Sequence, residues 1–161
     1  MTNYLPHQDV TLSDADVIVN LVNCVGVMGK GVALAFRERF GAPALKPYFD
    51  LCHARALKPG DCPILAMPDG RLWAAFATKA HWRDLARLDW IERGLDHLAE
   101  EVERVGARSV ALPPPGCGYG GLDWAVVEPM VLENLGRIGL ERLDICGAAS
   151  TLRRENEGPF P

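Results

Sequence analysis

A chain of 161 residues with 48% hydrophobic and 24% charged side chains can bury one sizeable core, and it reads as an ordinary soluble globular protein. No apolar run approaches the roughly 20 residues of a membrane span. The start, Met1-Thr-Asn-Tyr-Leu-Pro-His-Gln-Asp9, lacks the basic and apolar regions of a signal peptide, so a cytoplasmic protein is expected.

Asp16-Val-Ile-Val-Asn-Leu-Val22 reads as a buried strand. It leads through Asn23 into Gly26-Val-Met-Gly29-Lys30-Gly31, three glycines in six residues, and then into an amphipathic helix over 32–40. Such a passage puts bare main-chain N–H groups and a helix N-terminus around a phosphate-sized space, which points to a nucleotide diphosphate ligand. Residues 43–57 read as a second helix, punctuated by Pro43 and Pro59-Gly60. Segments 62–67 and 71–77 flank Pro68-Asp69-Gly70, a turn signal that predicts a β-hairpin. Between Leu88 and Val105 the apolar residues Leu88, Ile91, Leu95, Leu98, Val102 and Val105 step by three and four, so a helix lies there on a sheet.

Ser109-Val-Ala-Leu-Pro113 is the next expected strand, followed by a second glycine-rich turn, Pro113-Pro-Pro-Gly116-Cys-Gly118-Tyr-Gly120-Gly121. Asp123 is a natural N-cap for a helix running to about Ile138, and Leu143-Asp-Ile-Cys146 is the last strand. The pattern predicts a single α/β domain over residues 1–152, a three-layer α/β/α sandwich on a mixed central sheet, with residues 153–161 as a polar tail. Both glycine turns follow strands and should meet at the carboxyl edge of the sheet, where such folds bind ligands.

The first turn fits neither of two familiar phosphate-binding patterns. GxGxxG has the wrong spacing, and GxxxxGK[ST] is not present. Lys30 either pairs with a phosphate or is an exposed lysine at a helix start. Asn20 and Asn23 are suited either to ribose hydroxyls or to the turn itself. Thr78-Lys79 closes an apolar strand at the same sheet edge, and a lysine beside apolar strand ends can have its pKa lowered, becoming a nucleophile or base. His81-Trp82-Arg83 interleaves a titratable ring, a stacking ring and a cation, a combination that suits a nucleobase or single-stranded nucleic acid. Trp82 equally suits a cover over the end of the helix from Leu88.

Carboxylates are scarce around these turns. Asp123 is the only one near the second, and its capping position accounts for it. The five cysteines include no CxxC pair, and the four histidines show no metal spacing. Cys24 and Cys117 sit inside the glycine turns without a histidine in local register, so they read as small residues in tight loops rather than nucleophiles. Residues 30–87 carry ten Lys/Arg against five Asp/Glu, whereas residues 88–161 carry seven against thirteen. The basic segment holds the first glycine turn and Lys79, so the site faces an anionic partner or simply solvated helix faces.

Taken together, Asn20-Leu-Val-Asn-Cys-Val-Gly-Val-Met-Gly-Lys-Gly31, Phe76-Ala-Thr-Lys-Ala-His-Trp-Arg83 and Gly116-Cys-Gly-Tyr-Gly-Gly-Leu-Asp-Trp124 resemble the macrodomain of the DarG antitoxin family over about residues 12–150. DarG resembles in turn the eukaryotic terminal ADP-ribose protein glycohydrolase. The resemblance implies a macrodomain that binds ADP-ribose and hydrolyses it from thymidine bases of single-stranded DNA, reversing the NAD-dependent DarT toxin, with no cofactor or metal of its own. By position Lys79 matches the catalytic lysine. Asn20, Asn23, Val27, Met28, Gly29, Lys30, Gly31 and Thr78 fall on the ribose side of the ADP-ribose cleft. Pro115, Gly116, Cys117, Gly118, Tyr119, Gly120, Gly121 and Leu122 fall on its diphosphate side, and His81, Trp82 and Arg83 on the DNA side.

Gly120 stands where the eukaryotic relative has an aspartate that assists the lysine. The resemblance also implies that toxin contact belongs to a C-terminal region beyond these residues, and a monomer is expected. Two other readings stay open: an ADP-ribose-binding module without catalysis, and a hydrolase of ADP-ribosyl-protein or O-acetyl-ADP-ribose.

Overall fold

The central strand β2 (Val17–Asn23) is covered on both faces, which is why it reads as a continuous apolar run rather than an alternating one. The computed structural model describes residues 1–147. Around β2, a six-stranded sheet is built from β1 (Thr2–Leu5), β3 (Ile64–Ala66), β4 (Leu72–Lys79), β5 (Ser109–Leu112) and β6 (Arg142–Cys146), in the order β1-β6-β5-β2-β4-β3. Every neighbouring pair is parallel except β3 with β4, so the sheet is mixed.

Successive β2 side chains feed two cores. Val17 and Val19 join Phe76 of β4 under helices α3 (Leu88–Val105) and α4 (Trp124–Gly136). Ile18 and Val22 join Trp73, Ala75 and Ala77 against α1 (Gly31–Phe40) and α2 (Lys46–His53). The α/β/α sandwich expected from the alternation of elements is therefore the observed fold. The predicted stripe of α3 is buried from Ile91 through Leu95 and Leu98 to Val102, whereas Leu88 at its start is exposed and Val105 at its end half-buried. Gly94 lets that helix press directly on the Phe76 ring. Asp123 caps α4 as expected, its carboxylate accepting from the Ala125 N–H at 3.0 Å.

Three local expectations are corrected. The helix expected over 43–57 divides into a 3-10 turn, Ala42–Leu45, and the shorter α2; Arg55, at φ 53°, lies in the left-handed region beyond its end. Helix α4 stops at Gly136 rather than about 138. Strand β1 and the 3-10 turn Val10–Leu12 were not expected, because four residues of strand carry too little periodicity to read. The polar tail at 153–161 lies outside the described residues.

Because β1, β2, β4, β5 and β6 run parallel, their carboxyl ends share one edge. Residues 6–9, 24–30, 80–87 and 113–123 all leave the sheet there.

Candidate active site

Asn23, at the end of β2, ties the first glycine turn into a fixed shape. Its Oδ1 accepts from the N–H groups of Val25 and Val27 at 3.1 and 3.3 Å, and its Nδ2 donates to the Val27 carbonyl at 2.8 Å. Tyr48 of α2, fully buried, donates its hydroxyl to the Asn23 carbonyl at 2.8 Å. The turn delivers the chain into α1, whose N-cap Lys30 offers no side-chain hydrogen bond and whose first turn holds no acid. The leading N–H groups of this helix are thus left for an anion.

Lys79, at the end of β4, is half-buried. Burial pulls its pKa below the ordinary lysine value, and Lys30 pushes the same way against an opposing pull from Asp84. Next to it the Cys24 N–H donates to the Ala80 carbonyl at 3.1 Å, and the Cys24 thiol contacts the Lys79 carbonyl at 3.5 Å. Burial pushes that thiol up to about 11, so Cys24 carries no thiolate near neutral pH.

The second glycine turn folds on itself: Gly121 N–H donates to Gly118 O at 3.1 Å, and Leu122 N–H to Gly116 O at 2.9 Å. It is joined to the β4–α3 connection by the Ala86 N–H, which donates to the Gly120 carbonyl at 3.0 Å. The Tyr119 ring leans toward the first turn, with Lys30 Nζ 5.6 Å from its centroid. Facing outward, Arg83 stacks over Trp82 at 4.5 Å, and the His81 and Trp82 rings lie 5.2 Å apart.

These segments enclose a cleft of about 990 Å³. Asn23, Val27, Gly29, Lys30 and Gly31 line it from the first turn, and Thr78, Lys79, Trp82 and Arg83 from β4 and beyond. Gly116, Gly118, Tyr119 and Gly120 line it from the second turn. A lysine with lowered pKa beside two N–H-rich turns is equipped to hold a diphosphate and to act on a carbon next to it.

The Macro domain family model matches residues 19–131. The chain belongs to the macro domain family. The macrodomain of Mycobacterium tuberculosis DarG superposes on this macro domain with a TM-score of 0.82 at 33% identity, covering 91% of this chain and 97% of that one. A curated Mycobacterium tuberculosis protein named DNA ADP-ribosyl glycohydrolase is 39% identical over 128 residues, 74% of this chain and 35% of the relative. This macro domain therefore spans about a third of that relative's length. A solved structure titled Thermosipho africanus DarTG in complex with ADP-ribose matches with a TM-score of 0.78 at 28% identity, over 89% of this chain and 41% of that one.

Several residues expected at the site lie away from the cleft of this macro domain. Asn20 is in mid-strand, fully buried on the face turned to α1 and α2, and neither polar atom of its amide has a partner. Met28 turns inward to the core beneath α1. Pro115 is buried; Cys117 and Leu122 pack toward the α3/α4 core, and Gly121 stands outside the lining. His81 also lies off the lining, its Nδ1 accepting from the Arg83 N–H at 3.1 Å.

The cleft also takes in residues that the sequence did not mark. Pro6, His7, Gln8, Asp9 and Val10 close its far end together with Cys146 and Gly147. Asp9 holds this segment, its Oδ1 accepting from the N–H and hydroxyl of Thr11 at 2.9 and 2.8 Å. An Asp followed two residues later by Thr was the available signal. Asp84 and Leu85 line the near end, so the expectation that carboxylates are scarce around the glycine turns is corrected. Among the described residues no cluster of His, Cys, Asp and Glu could hold a metal, and no helix is long and apolar enough to cross a membrane.

Proposed function

We propose that this macro domain binds ADP-ribose and hydrolyses its bond to thymidine bases of single-stranded DNA; curated relatives carry the name DNA ADP-ribosyl glycohydrolase. The observation that carries the reading is Lys79: a partly desolvated amine at the end of β4, in one cleft with two glycine turns and the uncapped start of α1.

The order of strands along the edge sets the direction of the ligand. From β4 to β1 the cleft crosses five strand ends, about 19 Å at normal strand spacing. The distal ribose lies by Lys79, the diphosphate by the turns after β2 and β5, and the adenosine by residues 6–10 beyond β1. The strand of DNA leaves past the exposed Trp82–Arg83 pair, where a ring and a cation meet base and phosphate.

In the reaction the neutral Lys79 amine forms a bond to C1″ of the distal ribose as the bond from C1″ to thymine N3 breaks. The base departs with the electron pair and takes a proton. Opening of the sugar ring gives a Schiff base, and water hydrolyses it to return Lys79 and free ADP-ribose. A lowered lysine pKa favours this route, since it raises the share of neutral amine. The protein works as a cytoplasmic monomer in this scheme.

The test uses the purified chain, wild type and Lys79→Ala, with a thymidine-ADP-ribosylated single-stranded oligonucleotide. Wild type releases ADP-ribose and the mutant does not, while both bind free ADP-ribose. Release by the mutant overturns the assignment of Lys79, and no release by the wild type leaves a binding module. Borohydride added during turnover traps an adduct on Lys79 if the amine attacks. Failure to trap one points to a protonated Lys79 that stabilises the departing base.

A further inference from the structure

Helix α2 ends in a tight turn in which the Arg55 N–H donates to the Cys52 carbonyl at 3.0 Å and the Ala56 N–H to the Leu51 carbonyl at 2.9 Å. Arg55 stands at the bend with φ 53°, the one non-glycine residue with positive φ among the described residues. Such a bend favours glycine, because a Cβ is disfavoured in the left-handed region. The turn itself thus gives no reason for an arginine, and Arg55 is exposed. Lys58 is exposed beside it, its ammonium donating to the Arg55 carbonyl at 3.0 Å. Neither cation forms an ion pair among the described residues. Residues 51–60 hold no acid, and the next one, Asp61, is engaged by Arg93 at 3.0 Å and by the Lys58 main-chain N–H at 2.7 Å.

This basic corner adjoins the Lys79 end of the cleft. The segment leading into β3 runs beside the last residues of β4: Gly60 N–H donates to the Ala77 carbonyl at 2.8 Å, and Ala77 N–H to the Asp61 carbonyl at 2.9 Å. From the first glycine turn, Cys24 touches the carbonyls of Lys79 and Ala80. Gly26 packs on the end of α2, where a Cβ added to it would stand 3.6 Å from the Cys52 Cβ. Val25, between Cys24 and Gly26, is 48% exposed. The Lys58 charge is close enough to act on the Cys24 thiol.

A thymidine within a strand carries a flank on each side, and the Trp82–Arg83 pair meets one of them. Resting on the DNA substrate proposed above, we infer that the other flank runs over Val25 to Arg55 and Lys58, which hold its phosphates. Contacts of this kind position a strand without reading its sequence. Continuity with the reacting end of the cleft favours a DNA flank over an acidic protein: Lys79, Cys24, Gly26, Cys52 and Arg55 follow one another in contact.

The test measures binding in a Lys79→Ala background, which keeps the ligand intact. Fluorescence anisotropy follows a single-stranded oligonucleotide with a central ADP-ribosylated thymidine across a salt series. Calorimetry follows the ADP-ribosylated thymidine mononucleotide and free ADP-ribose. Arg55→Gly combined with Lys58→Ala weakens strand binding about ten-fold at low salt and flattens the log–log salt slope by about 0.7 for each cation removed. Binding of the two small ligands stays within about two-fold, since neither reaches the corner. Arg71→Ala, which removes a cation at the amino end of β4, leaves strand binding unchanged.

Arg55→Gly alone separates binding from folding. It relieves the left-handed bend, so the urea midpoint rises while strand affinity falls. A loss caused by a loosened fold would carry both down together. Two further oligonucleotides place the modified thymidine at the 5′ or the 3′ end, and the double variant weakens one and spares the other.

Unchanged strand affinity and salt slope in the double variant overturn the inference and leave an acidic protein as the partner of this corner. An equal loss with the mononucleotide, or with both end-placed strands, overturns it as well. Strand binding as stated, without release of ADP-ribose by the protein with Lys79 intact, overturns the proposed reaction and leaves the DNA track standing. Release by wild type with no effect of the variants removes the track and keeps the reaction.

Discussion

The hydroxyl of Tyr48 donates to the main-chain carbonyl of Asn23 at 2.8 Å, so helix α2 holds the point where β2 turns into the first glycine loop. Tyr48 is fully buried, and burial drives its hydroxyl far above the ordinary tyrosine range, keeping it a donor. Tyr48→Phe deletes that donor and leaves a carbonyl under-satisfied in the interior. The expected loss of stability is about 1–3 kcal/mol, read from the urea midpoint. Affinity for ADP-ribose, read by calorimetry, falls with it because the turn loosens. An unchanged midpoint and affinity would show that Asn23 holds the turn unaided.

Gly120 and Gly118 lie on the same turn with opposite surroundings. A Cβ at Gly118 meets nothing within 4 Å, whereas one at Gly120 runs into the Gly116 carbonyl. Gly120→Ala is therefore expected to destabilise the fold by about 1–3 kcal/mol and to weaken ADP-ribose binding. Gly118→Ala should come close to wild type in both. Thermal unfolding and calorimetry on the pair check this, and equal behaviour of the two variants contradicts the packing argument.

Lys30, Lys79 and Arg83 all line the cleft, so binding of an ADP-ribosylated strand should weaken more steeply with salt than binding of free ADP-ribose. Trp82, 43% exposed, offers a face for one base. Trp82→Ala is expected to weaken strand binding by about 1–3 kcal/mol and to leave free ADP-ribose binding unchanged. Fluorescence anisotropy across a salt series measures both, and equal salt slopes remove the proposed path for DNA.

Glu101 ties α3 to the start of β3. Its carboxylate pairs with Arg104 and accepts from the Ile64 N–H at 3.1 Å, and the Arg104 bond comes first in holding its pKa below the usual 4.5. A carboxyl depressed in the folded state contributes stability above its unfolded pKa, and that contribution is lost as pH falls from about 4.5 through the lower folded value. Glu101→Gln should flatten this part of the acid limb in urea midpoints measured from pH 6 to 3. An acid limb as steep as wild type would assign the loss to other carboxylates.

What could be read in advance follows from how much each residue's neighbours in sequence constrain it. The α3 stripe and the Asp123 cap depend on local periodicity and a local hydrogen bond, so they were legible. The glycine turns were legible because a strand-to-helix passage with several glycines leaves few conformations. Asn20 was not, because β2 is covered on both faces and its apolar run carries no phase to show which way residue 20 points. Met28 and Leu122 sit in glycine-rich turns but turn inward, a choice made by the cores on either side of the sheet. Asp84 escaped because its place in the cleft depends on the bond between Ala86 and Gly120, residues far apart in the chain.

The far end of the cleft depends on a pairing that spans almost the whole described chain. Among the described strands β1 pairs with β6 alone, and the Asn3 amide reaches the Asp144 carboxylate at 2.8 Å across 141 positions. Contacts of such separation are slow to form, since a long loop must close before they contribute anything. The lysine end rests on β2 and β4, much nearer in sequence. An emerging or refolding chain therefore builds the Lys79 end of the cleft before the end beyond β1. Affinity should lag behind secondary structure in refolding, arriving only when the two edges of the chain have met.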